Sequence, residues 1–330
     1  MRGRRYLLAR LAWTVFAAWL VLSGTFFLFV YTPDPNENLV AFGAGYAAAQ
    51  EGGNVTKAQQ EAVEAYREAR NYDQPIHQRY LKWVTAYATF DWGVSYTYGQ
   101  PVRDVVLDRG YVTALYLGPA VLLSLLVGTL AGLFSATRRR SVLDYVGRSV
   151  TYIGLGLPNF WLAQILALVL IAEFEVFELS RWNDASPTSP DNVPLLAVAG
   201  IVIAVHLIAI QTRYARSETR ELLPEPFVKT LRSTGASEVG VARHVLRNAS
   251  VPLVSLLFTE VLVAVMVDVF IVEAVLDVPG LGAAAYRAIE SRDIGLIIGT
   301  WMLPVFVVLA GTLLQDSIKT LLDPRLQGGD

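Results

Sequence analysis

Six stretches of the chain are apolar almost without interruption: Leu11 to Tyr31, Val112 to Thr137, Val146 to Ile171, Pro194 to Gln211, Val251 to Leu276 and Ile294 to Ile318. An α-helix needs about 20 residues to cross about 30 Å of hydrocarbon, and it satisfies its backbone groups internally, as lipid demands. The pattern therefore predicts an all-α, polytopic membrane protein with six transmembrane helices. Composition agrees, because 54% apolar and 17% charged residues are too oily a mixture for one soluble domain of 330 residues. Arg2, Arg4, Arg5 and Arg10 before the first stretch also fit a secretory signal. That stretch is long, however, and no small-residue cleavage site follows, so it is read as a retained helix.

Charge sets the orientation. With the N-terminus in the cytoplasm, Arg138, Arg139, Arg140 and Arg148 fall inside after two crossings. Arg213, Arg216, Arg220, Lys229, Arg232, Arg243 and Arg247 fall inside after four, and Lys319 and Arg325 after six. The loop between spans three and four carries Glu173, Glu175, Glu178, Asp184 and Asp191 against only Arg181, so it belongs outside. Short cytoplasmic loops are enriched in Lys and Arg, and this arrangement obeys that bias throughout. Both termini are then cytoplasmic.

Three regions follow: residues 1–31 with the first span, an external helical region over 32–110, and a five-helix membrane core over 111–330. In the external region Thr56 and Gln59 fit a capping box, and Ala58, Ala62, Ala65 and Ala69 mark one side of a helix up to Arg70. Ile76, Tyr80, Trp83, Val84 and Tyr87 give a second helix an aromatic face suited to the membrane surface or the outer ends of the spans. Gly43, Gly45, Gly52 and Gly53 predict a flexible section before them, and Asn54-Val55-Thr56 is a glycosylation sequon on the outer side. Inside the core, the stretch from Arg213 to Arg247 reads as a helix-turn-helix under the membrane, within a cytoplasmic loop over 213–250. Prolines bound the pattern, Gly235 ends a short helix, and Val239, Val241 and Val245 recur at helical spacing behind it. A folded basic platform of this size suits docking of another protein.

At these residues the chain resembles the permease subunits of the dipeptide, oligopeptide and nickel importers of the ATP-binding-cassette superfamily. The segment FVKTLRSTGASEVGVARHVLRNASVPLV is similar to that family's EAA-type cytoplasmic loop, with Gly235 as its glycine and Pro252 closing it. DQPIHQRYLKWVTAYATFDWGVSY, LPNFWLAQIL, EAVLDVPGLGAAAYRAIESRD and LLDPRL extend the resemblance over nearly the whole chain in order. Arg232-Ser233-Thr234 departs from the Ala and Lys usual around that glycine, and Leu39 to Gly53 looks like a small insertion. The resemblance implies a type I importer fold and a pore shared with a second, related permease subunit. It further implies two ATP-binding subunits that dock the cytoplasmic loop, and an extracellular solute-binding protein that delivers peptide. Thr230, Gly235, Ala236, Ser237 and Glu238 are the coupling residues it implies, and Pro158, Phe160 and Trp161 a gate region in span three.

The chain has no cysteine, which excludes disulfide and thiol chemistry. No GxxxxGK[ST] loop is present, so ATP and magnesium are expected in partner subunits and no cofactor in this chain. His77, His206 and His244 are scattered over three regions, which argues against a metal centre, and no nucleophile constellation points to an enzyme. A net charge of −2 gives no reason to expect nucleic acid. Span five carries Glu260 and Asp268, about 80° apart on an ideal helix, with Glu273 near its outer end. A charged group inside a span costs about 2.5–3.5 kcal/mol on insertion scales. These acids therefore either border a solute path or are paired or protonated against a neighbouring helix, and His206 is read as a satisfied core residue or a partner to one of them. Nickel or another solute in place of peptide, or a proton-coupled secondary transporter using the two acids, are the alternative functions; the second is weakened because no duplicated halves are visible.

Overall fold

The computed structural model describes residues 2–69, 71–137, 142–174 and 182–322. Arg70, Arg138, Arg139, Arg140, Glu175, Glu178, Arg181 and Arg325 lie outside the described residues, as does most of the C-terminal LLDPRL segment. The chain divides into two compact units, one of residues 1–104 and 288–299, the other of residues 105–287 and 300–330.

In the first unit α1 (Arg2–Tyr31) is the first span, followed by α2 (Pro35–Gln50), α3 (Val55–Ala69) and α4 (Ile76–Ala88). Leu8–Gln50 forms a 43-residue apolar run. At about 1.5 Å per residue that is about 65 Å, roughly twice the hydrocarbon thickness, so α2 extends beyond the membrane. It pairs there with α3. Asp34 receives the hydroxyls of Tyr66 and Tyr72, each at 2.8 Å, and Glu37 holds Arg67 in a two-pronged ion pair. Two expectations need correction. The glycine-rich section is largely helical, because Gly43 and Gly45 lie within α2; a Cβ at Gly45 would meet the Gln59 side chain of α3, so the missing side chain serves close packing. Helix α3 starts two residues earlier than the capping box predicted, since Asn54 Oδ1 accepts from Lys57 N at 3.1 Å and takes the cap itself.

The aromatic face of α4 rests on α1, one of the two placements its pattern allowed: Tyr80 and Trp83 lie 5.3 and 5.7 Å from Phe26, ring to ring, and Tyr80 shares a 2.7 Å hydrogen bond with Ser23. A two-stranded ribbon follows, β1 (Val94–Ser95) and β2 (Gln100–Pro101). Its turn grips the buried Asp293, which accepts from Ser95 Oγ at 2.6 Å and Thr97 N at 3.2 Å. Burial, with Asp293 nearby, pushes the Tyr87 phenol well above its ordinary range and keeps it neutral.

The second unit is assembled around one helix. Span two is α5 (Val102–Leu123) continued through a π-turn at Ser124–Gly128 into α6 (Thr129–Thr137). Then come α7 (Val142–Gly156), α8 (Asn159–Phe174), α9 (Val193–Leu222), α10 (Pro226–Ser233) and α11 (Glu238–Val263). A second π-turn at Ala264–Asp268 leads into α12 (Val269–Leu276), followed by α13 (Leu281–Ser291) and α14 (Ile294–Leu322). Val198, Ala199, Val202, Ile203 and Leu207 put α9 at the centre of the core with Val112, Tyr116 and Ala163. Gly132 lets α6 approach it: a Cβ there would stand 2.5 Å from that of Ala215 and 2.6 Å from the Thr212 carbonyl. Small residues four apart are how membrane helices reach such contact, and Gly128 repeats the device against Gln211.

Among the described residues five stretches are long and apolar enough to span a membrane, and α7 with α8 makes a sixth if that bent pair is one span. The sequence predicts a straight or kinked span over Val146 to Ile171; instead the two halves meet at 102°. Pro158 removes a backbone donor and the residue before a proline is driven from helical geometry, so Leu157-Pro158 breaks the helix outright. Pro252 behaves oppositely. Expected to close the cytoplasmic loop, it lies inside α11, so the docking helix and span five form one run of 39 residues, Glu238–Leu276.

Candidate functional site: a docking platform joined to span five

The platform is a short helix, a tight turn and a long helix, each with a local cause. Pro226 fits the first turn of α10, where its missing donor costs nothing. At the other end Gly235 adopts φ +81°, and Ala236 N donates to Leu231 O at 3.0 Å while Gly235 N donates to Arg232 O at 3.1 Å. That pair of bonds is the Schellman closure, which requires a left-handed residue at the position Gly235 fills. Ser237 then caps α11, its Oγ accepting from Gly240 N at 3.2 Å, and Glu238 sits in the first turn where the helix dipole favours an anion.

The inner side of the platform is apolar. Val228, Val241 and Val245 are buried with Leu133 of α6, and Phe227, Leu231 and Ala236 pack around them. Val239, expected on that face, is 80% exposed and points away with Thr230, Gly235, Ser237 and Glu238. Two residues along a helix turn about 200°, so Val239 and Val241 face opposite ways. Among the described residues Glu238 makes a 3.4 Å ion pair with Arg232, which is itself exposed. Four of the five expected coupling residues are thus solvent-exposed while Ala236 packs inward, and among the described residues the apolar Val239 beside Glu238 is left exposed.

Along the same continuous helix lie Glu260 and Asp268, both half-buried. Among the described residues no side-chain hydrogen bond or ion pair reaches either carboxylate. The π-turn ending at Asp268 accommodates one extra residue, so the eight-residue offset counts as about seven and the two acids align within about 20° rather than 80°. His206 does not partner them; its Nδ1 is buried without a hydrogen-bond partner, contrary to the expectation of a satisfied core residue. Phe160 and Trp161, just past the break at Pro158, are 45% and 48% exposed on this chain. For the acids the expected outcome is that Glu260→Gln or Asp268→Asn lowers transport several-fold more than it lowers assembly. Normal uptake in both amide variants of the reconstituted transporter removes them from the solute path.

Glu273, which the sequence marks only as an acid near the outer end of span five, is the fully buried centre of a network. Its Oε1 accepts from Thr113 Oγ1 at 2.6 Å and Tyr116 OH at 2.7 Å. Its Oε2 accepts from Gly282 N at 2.7 Å and Ala283 N at 3.1 Å, the orphan donors that open α13. Thr113 Oγ1 also takes Leu281 N at 2.9 Å, and Gly280 is required because a Cβ there would collide with the carboxylate. One side chain therefore ties span two, span five and α13, and fixes α13 as a wall of a small open crevice beside Met266, Phe270, Trp301 and Pro304.

Comparison with known proteins agrees with this architecture. Residues 128–328 match the family of binding-protein-dependent transport system inner membrane components. The chain is 30% identical to the dipeptide transport system permease protein DppB of Bacillus subtilis over 277 residues, 83% of this chain and 87% of that one. It is 25% identical to DppB of Lactococcus lactis over 98% of this chain and 99% of that one. Against the oligopeptide transport system permease protein AppB of Bacillus subtilis it is 28% identical over 82% and 87% respectively.

Proposed function

Because this chain belongs to the family of binding-protein-dependent transport system inner membrane components, we propose that it is the pore-forming permease subunit of an ATP-binding-cassette importer for dipeptides or oligopeptides. The observation that carries the reading is the exposed platform edge around Gly235 built onto the same unbroken helix as span five. A partner seated on that edge holds one end of a lever whose other part crosses the membrane. The peptide assignment is supported by similarity to relatives named as dipeptide and oligopeptide permeases.

In this reading two ATP-binding subunits dock under the membrane and hold the nucleotide and magnesium, a second homologous permease completes the pore, and an extracellular solute-binding protein delivers the peptide. The cell is a prokaryote, the site its plasma membrane, and both termini are cytoplasmic. Closure of the ATPases pushes the platform, span five tilts with it, and Glu260 and Asp268 change the side from which they are reached. The tests are co-purification of the tagged chain with ATP-binding subunits and impermeant thiol labelling, clean here because the chain has no cysteine of its own. Asn54→Cys and Asp184→Cys should label from outside intact cells and Gly235→Cys only after lysis. External labelling of Gly235→Cys overturns the orientation, and a chain that purifies without any ATPase overturns the transporter reading.

A further inference from the structure

One buried carboxylate outside the features described so far joins three helices at their cytoplasmic ends. Asp144, near the start of α7, is 1% exposed. Its Oδ1 accepts from Ser135 Oγ of α6 at 2.8 Å and from Arg216 of α9, at 3.1 Å through Nε and 2.9 Å through Nη2. Its Oδ2 accepts from Arg148 Nη2 on its own helix at 2.9 Å. Both neighbouring helices are gripped by the docking platform. Leu133 of α6 is buried against Val228, Val241 and Val245, and Ala215 of α9 against Ala249 and Leu253 of α11. Asp144 is thus bonded to residues two and one positions from the two platform contacts. Helix α7 runs from there to the 102° break, beyond which Phe160 and Trp161 stand exposed.

We propose that Asp144 is the positioning residue through which movement of the docking platform reaches the break in span three, which it drives as a gate. The proposal rests on the importer reading above and adds a transmission route to it. Magnitudes favour this route over the surface. An exposed pair such as Arg232 and Glu238 is screened by water and holds its helices only weakly, whereas a buried carboxylate with charged partners on two helices allows few alternative arrangements, so the helices shift together or the network breaks. Helix α7 has further close packing on α9, where a Cβ at Gly154 would stand 2.8 Å from that of Ala209, so it is guided along α9 and pulled at Asp144.

The test uses the complete reconstituted complex with a single cysteine at Phe160→Cys, labelled with and without a non-hydrolysable ATP analogue. In the otherwise unaltered chain the analogue should change the labelling rate about fivefold or more, a typical allosteric coupling. Asp144→Asn should erase that change while the ATP-binding subunits remain bound, and transport per ATP hydrolysed should fall with it. Ser135→Ala and Arg216→Lys, which disturb the network less, should give intermediate losses and serve in place of Asp144→Asn if that variant does not accumulate. Combining Asp144→Asn with Arg216→Lys should lower transport per ATP no further than Asp144→Asn alone. A labelling change that persists in all three single variants overturns the proposal, as does an unaltered chain whose Phe160→Cys does not respond to nucleotide. Failure of ATP-binding subunits to bind the unaltered chain instead defeats the importer reading on which it rests.

Discussion

Replacing Gly235 by tryptophan is expected to lower solute-stimulated ATP hydrolysis and transport together, by about tenfold or more, while membrane insertion and solute capture stay intact. Two effects add. Any L-residue at φ +81° carries about 1–2 kcal/mol of left-handed strain, which loosens the Schellman turn. Among the described residues a Cβ added at Gly235 meets nothing within 4 Å, so the substitution starts into open space. The indole projects from the docking edge beside Val239, where a partner must approach. Gly235→Ala separates the terms: it carries the strain without the bulk, so the excess effect of Gly235→Trp reports on the partner. Reversing Glu238 to lysine should act in the same direction but more mildly, since its exposed ion pair is worth about 0–1 kcal/mol. The measurement is ATPase activity of the assembled complex with and without loaded binding protein. Full stimulation in a correctly assembled Gly235→Trp complex would place the coupling contact elsewhere.

The second large effect is on stability. Glu273→Ala leaves Thr113 Oγ1, Tyr116 OH and the amides of Gly282 and Ala283 without their acceptor in a fully buried site. Each buried neutral donor left without its acceptor costs about 1–3 kcal/mol, and the loss falls here on two hydroxyls and two amides. The melting midpoint of the purified complex should drop by more than about 5 °C. Glu273→Gln keeps the shape but turns an amide donor toward two existing donors, and should fall between the variants. A Glu273→Ala complex that melts with the wild type would show that the outer ends of spans two and five are held by packing alone.

The spans and the platform were legible because each follows from a local rule. Long apolar runs need no partner to be recognised, and the proline before α10 and the glycine after it bracket one short helix whatever surrounds them. Pro158 and Pro252 show where that reasoning stops: the first breaks its span by 102° and the second is carried inside a continuous helix. A proline deletes the same bond in both places, and whether the helix survives depends on what packs around it, which single-sequence periodicity does not contain. The glycines of α2 were misread as flexibility for the same reason, since only the presence of Gln59 turns Gly45 into a packing position.

Among the candidate residues, Gly235 was readable from turn chemistry alone, whereas Ser237 entered only through the resemblance and its capping bond shows in the fold. Glu260 and Asp268 were readable as costly charges in an apolar run, but their alignment was not, because a π-turn leaves no periodic signature. Glu273 and Asp144 were missed as organising residues. For Glu273 the Asp277-Val278-Pro279-Gly280 turn just after it was a usable signal that a helix start lies within reach of its carboxylate, while Thr113 and Tyr116 are about 160 positions away in sequence. For Asp144 the signal was a lone acid among arginines in a connection that charge alone assigns to the cytoplasmic side. Its partners Ser135 and Arg216 come together only once α6, α7 and α9 are packed.

The central claim, that this chain couples an external binding protein to ATP hydrolysis inside, is tested most directly by peptide uptake into proteoliposomes. These would contain the chain, its second permease and the ATP-binding subunits, with ATP supplied on the platform side and peptide-loaded binding protein on the other. Uptake should stop when ATP, the binding protein or this chain is left out, and should be indifferent to an imposed proton gradient. Uptake that follows the proton gradient and proceeds without ATP-binding subunits would contradict that claim.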